Sequence, residues 1–260
     1  MLDVVGRNEE TVAGIRLELR RAGRGRPLLL LHSEDALECD APFLDLLTAD
    51  REVIIPSPPG FGRSERPDWV SAPDDIAYVT LELLDRLKLG GIDVLGCSLG
   101  GWIALEMATK EPAAFSRMAL VAPYGAKFVG PTERDIADIW ILPPAEVTKR
   151  KWFDPKKGER DYKAMPEDKL SIIARNNESF ARFCWEPYMH NPKLKHRLER
   201  VRAETLFIWG ENDGIVTPAY GRTFADHVRG ASFATIAEAG HYPHIEQPGA
   251  FMQCLRAFLD

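Results

Sequence analysis

Four short apolar runs, separated by segments of helical periodicity, most constrain what this chain can fold into. Pro27-Leu28-Leu29-Leu30-Leu31-His32 is continuously apolar, as expected of a strand covered on both faces. Glu52-Val53-Ile54-Ile55-Pro56, Ile92 to Cys97 and Arg117 to Ala122 repeat that character. Between the first two, Asp40 to Ala49 forms a helix with Phe43, Leu46 and Leu47 on one side. Asp74-Asp75 open a second helix to about Lys88, with Ile76, Val79, Leu83, Leu84 and Leu87 at helical spacing, and Leu99 to Lys110 is a third. This alternation predicts a parallel sheet with helices on both faces. Ahead of it, Thr11 to Arg21 alternates apolar Ile15, Leu17 and Leu19 with Arg16, Glu18 and Arg20, the pattern of a half-exposed strand at a sheet edge.

The alternation stops between Tyr124 and Arg202 and resumes with the strand Thr205 to Gly210, a helix around Ala219 to Val228, the strand Ser232 to Ala237 and a final helix to Phe258. Residues 1–123 and 203–260 therefore read as one α/β core, and 124–202 as an inserted helical lid over the carboxyl ends of the strands, where open α/β sheets bind ligands. The insertion holds helix-like patches such as Leu170 to Asn177 and much of the aromatic content. Trp140, Phe183, Trp185, Tyr188 and Met189 are its candidates for an apolar substrate pocket. From Gly125 to Arg200 there are 16 Lys/Arg and 12 Asp/Glu, a net of +4 in a chain of −6. Arg150-Lys151 and Lys156-Lys157 are the densest basic spots; they read as a solvated face or as a field drawing anionic substrates.

With a net charge of −6, nothing favours nucleic acid or an anionic membrane. Met1 to Glu10 has no basic head followed by a long apolar stretch, and no run is long enough to span a membrane. Cys39, Cys97, Cys184 and Cys254 form no C-x-x-C pair, so a reduced, cytoplasmic setting without a metal-thiolate site is expected. The expected partner is a small-molecule substrate. The sequence assigns no oligomeric state.

The chemistry sits where the third apolar run meets its helix. Gly96-Cys97-Ser98-Leu99-Gly100 is G-x-S-x-G, which lifts a serine hydroxyl out of the sheet on a sharp strand-to-helix turn. Serine needs a base to take its proton and a third group to orient that base. In this arrangement the partners follow in the order Ser, Asp/Glu, His. Beyond the next strand the chain offers Glu211-Asn212-Asp213, and beyond the last strand Gly240-His241-Tyr242-Pro243-His244. Asp213 is the candidate orienter, with Glu211 its rival. His241 is the candidate base, with His244 its rival. Cys97 reads as packing beside the turn.

These pieces together resemble the α/β-hydrolase superfamily along almost the whole chain: the strand Leu28 to His32, the loop Pro58-Pro59-Gly60-Phe61-Gly62-Arg63-Ser64, the elbow Gly96 to Gly101, Trp209-Gly210 with Asp213, and Gly240-His241. The resemblance implies an eight-stranded, mostly parallel sheet with a helical lid after the sixth strand, a serine nucleophile, and no cofactor or metal. The oxyanion donors should be the N–H of Leu99 and an N–H of the loop after Leu28 to Leu31. Relatives carry His-Gly in that loop. Here it reads His32-Ser33-Glu34-Asp35-Ala36, and Glu34 falls at the donor position. The primary expectation is hydrolysis of carboxylic esters through an acyl-enzyme. The second is hydrolysis of a carbon–carbon bond in a vinylogous diketone, as in meta-cleavage-product hydrolases, which resemble the elbow and Asn191 to Leu198. Glu34-Asp35 and Tyr242 depart from their glycine-rich loop and their Trp after the histidine. A third reading is a ligand-binding protein of the same fold with little turnover.

Overall fold

The computed structural model describes residues 6–39 and 42–260. Eight strands, β1 (Gly6–Val12), β2 (Ile15–Ala22), β3 (Arg26–Leu31), β4 (Arg51–Pro56), β5 (Ile92–Cys97), β6 (Phe115–Val121), β7 (Glu204–Gly210) and β8 (Ser232–Ile236), form one sheet. Their order is β1-β2-β4-β3-β5-β6-β7-β8. Strands β3 to β8 pair in parallel, and β2 pairs antiparallel with both β1 and β4.

The buried runs behave as their composition requires. Along β3, Leu29 and Leu31 enter one apolar layer while Leu28 and Leu30 enter the other. Successive strand residues point to opposite faces, so only a sheet covered on both sides can bury all four. Each such leucine contributes roughly 1.5–3 kcal/mol relative to leaving it in water. Helices α2 (Pro73–Leu87) and α3 (Leu99–Lys110) cover the first face; α1 (Pro42–Thr48) and, at the end of the chain, α8 (Pro248–Leu259) cover the second. The helix expected from Asp40 begins at Pro42; Asp40 and Ala41 lie outside the described residues. Asp75 accepts the amides of Ser71 and Ala72 at the start of α2, where a carboxylate is favoured.

One expectation needs correcting. The strand read as Thr11 to Arg21 is a hairpin: β1 ends at Val12, and Ala13 and Gly14 turn at φ of 49° and 76° before β2 starts at Ile15. The turn slips the apolar alternation by only one residue, between Val12 and Ile15, and Val12, Ile15, Leu17 and Leu19 all reach the same core layer. The edge strand is β1, and β2 is the second strand in.

Between β6 and β7 lie α4 (Pro144–Lys151) and α5 (Glu167–Cys184), with short 3-10 turns. The patch read as Leu170 to Asn177 is the middle of α5. This insertion is bonded to the loops at the carboxyl ends of the strands. Asn176 Oδ1 accepts the Gly62 amide at 2.9 Å, and the Ser179 hydroxyl donates to the Gly60 carbonyl at 2.7 Å. The end of α4 accepts the Gly214 amide on the Arg150 carbonyl at 3.0 Å and the His241 amide on the Lys151 carbonyl at 2.7 Å. After β7 come α6 (Pro218–Asp226) and, beyond β8, the short α7 (Pro243–Glu246) that leads into α8. Among the described residues, no helix is long and apolar enough to cross a membrane.

Candidate active site

Ser98 sits between β5 and α3 at φ 52°, ψ −112°, a conformation that costs a non-glycine residue on the order of 1–3 kcal/mol. The surroundings over-determine it. A Cβ on Gly96 would come within 2.8 Å of the Gly101 Cα, and one on Gly100 would fall on the Leu31 carbonyl. Only glycines allow the helix to start so close to β3 and β5. Ser98→Gly, which keeps the turn and relieves the strain, is expected to raise stability by roughly 0.5–1 kcal/mol in urea unfolding while removing the hydroxyl.

The three candidate residues converge. Ser98 Oγ lies 2.9 Å from His241 Nε2, and His241 Nδ1 lies 2.7 Å from Asp213 Oδ2. Asp213 Oδ1 accepts the amides of Ile215 at 2.8 Å and Val216 at 3.1 Å, so the carboxylate cannot rotate away from the imidazole. All three are buried, at 1%, 1% and 3% exposure for Ser98, His241 and Asp213, so their mutual hydrogen bonds work in a low dielectric. The His241 ring is stacked on Tyr124 with centroids 5.3 Å apart and meets Tyr242 edge-on at 5.0 Å. Such a chain can deprotonate the serine, stabilise the imidazolium and return the proton to a leaving group.

The rivals lie elsewhere. Glu211 is exposed and accepts from the Thr235 hydroxyl. His244 is buried, with Nε2 2.9 Å from Glu38 Oε1. Cys97 is buried behind the elbow, and burial pushes its thiol pKa well above the usual value, which makes it a poor nucleophile.

No protein group among the described residues accepts from the amides of Leu99 or Glu34, so both are available to an oxyanion. One oxygen of the Glu34 carboxylate, which would oppose that charge, is engaged by neighbours, while Oε2 is buried without a hydrogen-bond partner among the described residues. Its Oε1 takes Lys151 Nζ and the Tyr124 and Tyr242 hydroxyls, each at 3.2 Å. Lys151 Nζ also reaches Asp35 Oδ2 at 2.8 Å, and Tyr242 donates to the same oxygen at 2.6 Å. Burial alone would push Asp35 up and Lys151 down. Their mutual attraction outweighs it: Asp35, facing Lys151 and Arg160, is held well below the usual carboxylate range, and Lys151 well above the usual ammonium one.

Sequence reasoning missed Lys151, Tyr124 and Glu246. Lys151 belongs to a basic pair that read as surface, and only a carboxylate more than a hundred residues away gives it a reason to be buried. Glu246 accepts the Gly240 amide at 2.7 Å and those of Phe153 and Asp154, tying the histidine loop to the insertion.

The aromatic candidates of the insertion are placed differently from expectation. Trp140 packs on Phe180, Trp185 and Tyr188, while Tyr188 spends its hydroxyl on Ala137 and Ile139. Trp185 is 56% exposed; Phe183 and Met189 are buried in the core layer. A cavity of about 450 Å³ lies instead beside the oxyanion loop, with Leu37, Met165, Ile172, Ile173 and Ile245 as its apolar wall. None of Trp140, Phe183, Trp185, Tyr188 or Met189 lines it. Tyr188 and Phe183 line smaller cavities of about 290 and 220 Å³, while Trp140 and Trp185 pack on each other, and composition does not distinguish the two placements. The basic spots are likewise partly spent internally: Arg150 pairs with Glu146, and Lys157 donates to the Glu246 carbonyl.

For a metal, the described residues offer Glu38, Cys97 and His244, whose ligand atoms lie within 4.8 Å of one another. They do not fit one. Both Glu38 oxygens already accept hydrogen bonds, and the thiol is held protonated.

The doubly covered parallel sheet with its strand-to-helix serine defines a hydrolase of the α/β class. The chain belongs to the alpha/beta hydrolase family, whose model matches residues 28–253. It is 30% identical over 268 residues to the 2-hydroxymuconate semialdehyde hydrolase of Pseudomonas sp. strain CF600, covering 98% of this chain and 94% of that one. It is 25% identical to a 2-hydroxy-6-oxo-2,4-heptadienoate hydrolase of Pseudomonas putida, over 95% of this chain and 93% of the relative. In fold it is similar to the meta-cleavage product hydrolase CumD of Pseudomonas fluorescens IP01, with a TM-score of 0.78, 20% identity, and 98% and 97% of the two chains covered.

Proposed function

We propose that this protein hydrolyses a carbon–carbon bond in a vinylogous diketone of the meta-cleavage-product kind. The carrying observation is the full-length likeness, at 30% identity, to a 2-hydroxymuconate semialdehyde hydrolase. Ester hydrolysis, the primary expectation from sequence, takes second place. Its ranking above the carbon–carbon reading rests on the Glu34-Asp35 loop and Tyr242, and Lys151 ties all three into one hydrogen-bonded cluster.

In this reading Ser98 attacks the ketone carbonyl as His241 takes its proton, with Asp213 holding the imidazole. The tetrahedral oxyanion is held by the amides of Leu99 and Glu34. With the substrate in its dioxo tautomer, whose carbon beside the ketone is saturated, collapse breaks the carbon–carbon bond and expels a carbanion delocalised as an enolate into the remaining enone, which takes a proton from His241. Water, deprotonated by His241, then releases the acid from Ser98. The insertion acts as the lid. Arg63 and Arg160 on the polar wall of the 450 Å³ cavity support an anionic group on the substrate.

The test is loss of colour from a 2-hydroxy-6-oxo-dienoate set against release of p-nitrophenol from short-chain esters. The dienoate is expected to show a kcat/KM at least tenfold higher. Ester turnover that exceeds it would restore the esterase reading. Tight dienoate binding without any burst of product would favour a binding protein.

A further inference from the structure

The oxyanion loop of this protein has no glycine, yet it must present one backbone amide to within a few tenths of an ångström of a position set by the elbow. What holds it is a buried network beneath the catalytic residues. The loop is a turn closed by the Ala36 amide donating to the Ser33 carbonyl at 3.0 Å, with Ala36 at φ 51°. Ser33 donates twice to one oxygen of Glu38, from its amide at 3.1 Å and its hydroxyl at 2.9 Å. The other oxygen of Glu38 meets His244 Nε2 at 2.9 Å. Ser33, Glu38 and His244 are all 0% exposed. His244 packs edge-on against Phe43 at 5.1 Å and tilted against Phe251 at 5.6 Å, and these two rings touch each other at 5.6 Å, so the far end of the network sits in a packed aromatic cluster.

The network spans the three parts that must be in register. Ser33 immediately precedes the donor residue Glu34. His244 lies three residues after the base His241, in the short helix α7. Cys97, which immediately precedes Ser98, places its sulfur within 4.8 Å of the Glu38 and His244 ligand atoms. We infer that the buried Glu38–His244 pair is the positioning element of the oxyanion hole, fixing the Ser33–Ala36 turn so that the Glu34 and Leu99 amides converge on the carbonyl that Ser98 attacks. Because the Ser33 amide is consumed by Glu38, it cannot compete as a donor, and the Glu34 amide is the one left without a protein acceptor among the described residues. Burial would push the Glu38 carboxyl up, but the bond to His244 and its charge outweigh that and hold it below the usual range, so Glu38 stays an acceptor for both Ser33 donors.

This inference rests on the reading of Ser98 as nucleophile, though not on which bond is cleaved, so the assay uses whichever substrate the wild type turns over. Glu38→Ala and His244→Ala are expected to lower kcat by on the order of 100-fold, as for a lost oxyanion donor, with KM within threefold of wild type. Affinity for a trifluoromethyl ketone, which forms the tetrahedral oxyanion on the serine, should fall by the same factor, while affinity for the carboxylic acid product is unchanged. Glu38→Gln, which keeps an acceptor for Ser33, should recover most of both losses. Ser33→Ala, the mildest cut, keeps the amide bond and should show a parallel loss of about fivefold; it carries the test if the core variants do not fold. Wild-type kcat in these variants, or a kcat loss without a matching loss of trifluoromethyl ketone affinity, overturns the inference and leaves the hydrolase reading intact. A wild type that neither turns over a substrate nor binds the ketone overturns that reading, and this inference with it.

Discussion

Replacing Ser98 by alanine is expected to lower kcat by on the order of 10⁶-fold, the scale seen when a nucleophile is removed from a serine–histidine–aspartate array. The fold should survive the change. The methyl group fits where the Cβ already sits, and the strained turn is held by Gly96 and Gly100 rather than by the hydroxyl. Substrate binding should be retained, since nothing larger than an oxygen is lost. Asp213→Asn should cost ~10⁴-fold, because an amide can donate to Nδ1 and so favours the wrong imidazole tautomer. Single-turnover kinetics with the preferred substrate, together with labelling by a fluorophosphonate, would check both. A Ser98→Ala protein that retained labelling or wild-type turnover would remove Ser98 from the chemistry.

The second large effect concerns Lys151. Among the described residues its ammonium is the one cation reaching both Glu34 and Asp35, at 3.2 and 2.8 Å, with Arg160 further from Asp35 at 3.7 Å. Lys151→Met leaves two inward-facing carboxylates with a single distant cation. Breaking a buried ion pair from one side costs about 3–5 kcal/mol. The lower end is expected here, because Asp35 and Lys151 retain 19% and 12% side-chain exposure. The pH dependence has a definite sign. Asp35 is depressed in the folded state, so its contribution is complete above the unfolded carboxylate range, about pH 4, and is lost as the pH falls toward the folded value. Lys151 is raised, so its share is complete at neutral pH and is lost only in strong alkali. The difference between wild type and variant in urea unfolding should therefore be largest near neutrality and shrink in acid. A variant within 1 kcal/mol of wild type at pH 7 would show that the pair does not stabilise the closed arrangement.

What could be read in advance follows from which interactions are local. The runs around Leu28–Leu31 and Val94–Cys97 announce doubly covered strands because burial on two faces is a property of each run alone. The order Ser98, Asp213, His241 is legible because each residue follows directly on a strand, and parallel strands bring such loops to one end. The hairpin at Ala13-Gly14 was hidden because only a one-residue slip of the alternation, between Val12 and Ile15, marks it. Lys151 was hidden for a different reason. A lysine's burial depends on where a carboxylate from a distant segment arrives, and no local window carries that information. Trp140, Trp185 and Tyr188 show the same limit, since hydrophobic character does not say whether a ring faces its own neighbours or an open cavity.

The two backbone hydrogen bonds at the end of α4 tie the inserted segment to the loops that carry Asp213 and His241. The Arg150 carbonyl holds the loop that carries Asp213, and the Lys151 carbonyl holds the amide of His241 itself. On the proposed reading of the insertion as a lid, a displacement of α4 breaks both bonds and removes one support from each of the acid and base loops. On that reading, competence to react depends on the position of α4 as well as on the three residues themselves. An acyl group on Ser98 would then meet a fully supported base loop only once the helix has returned.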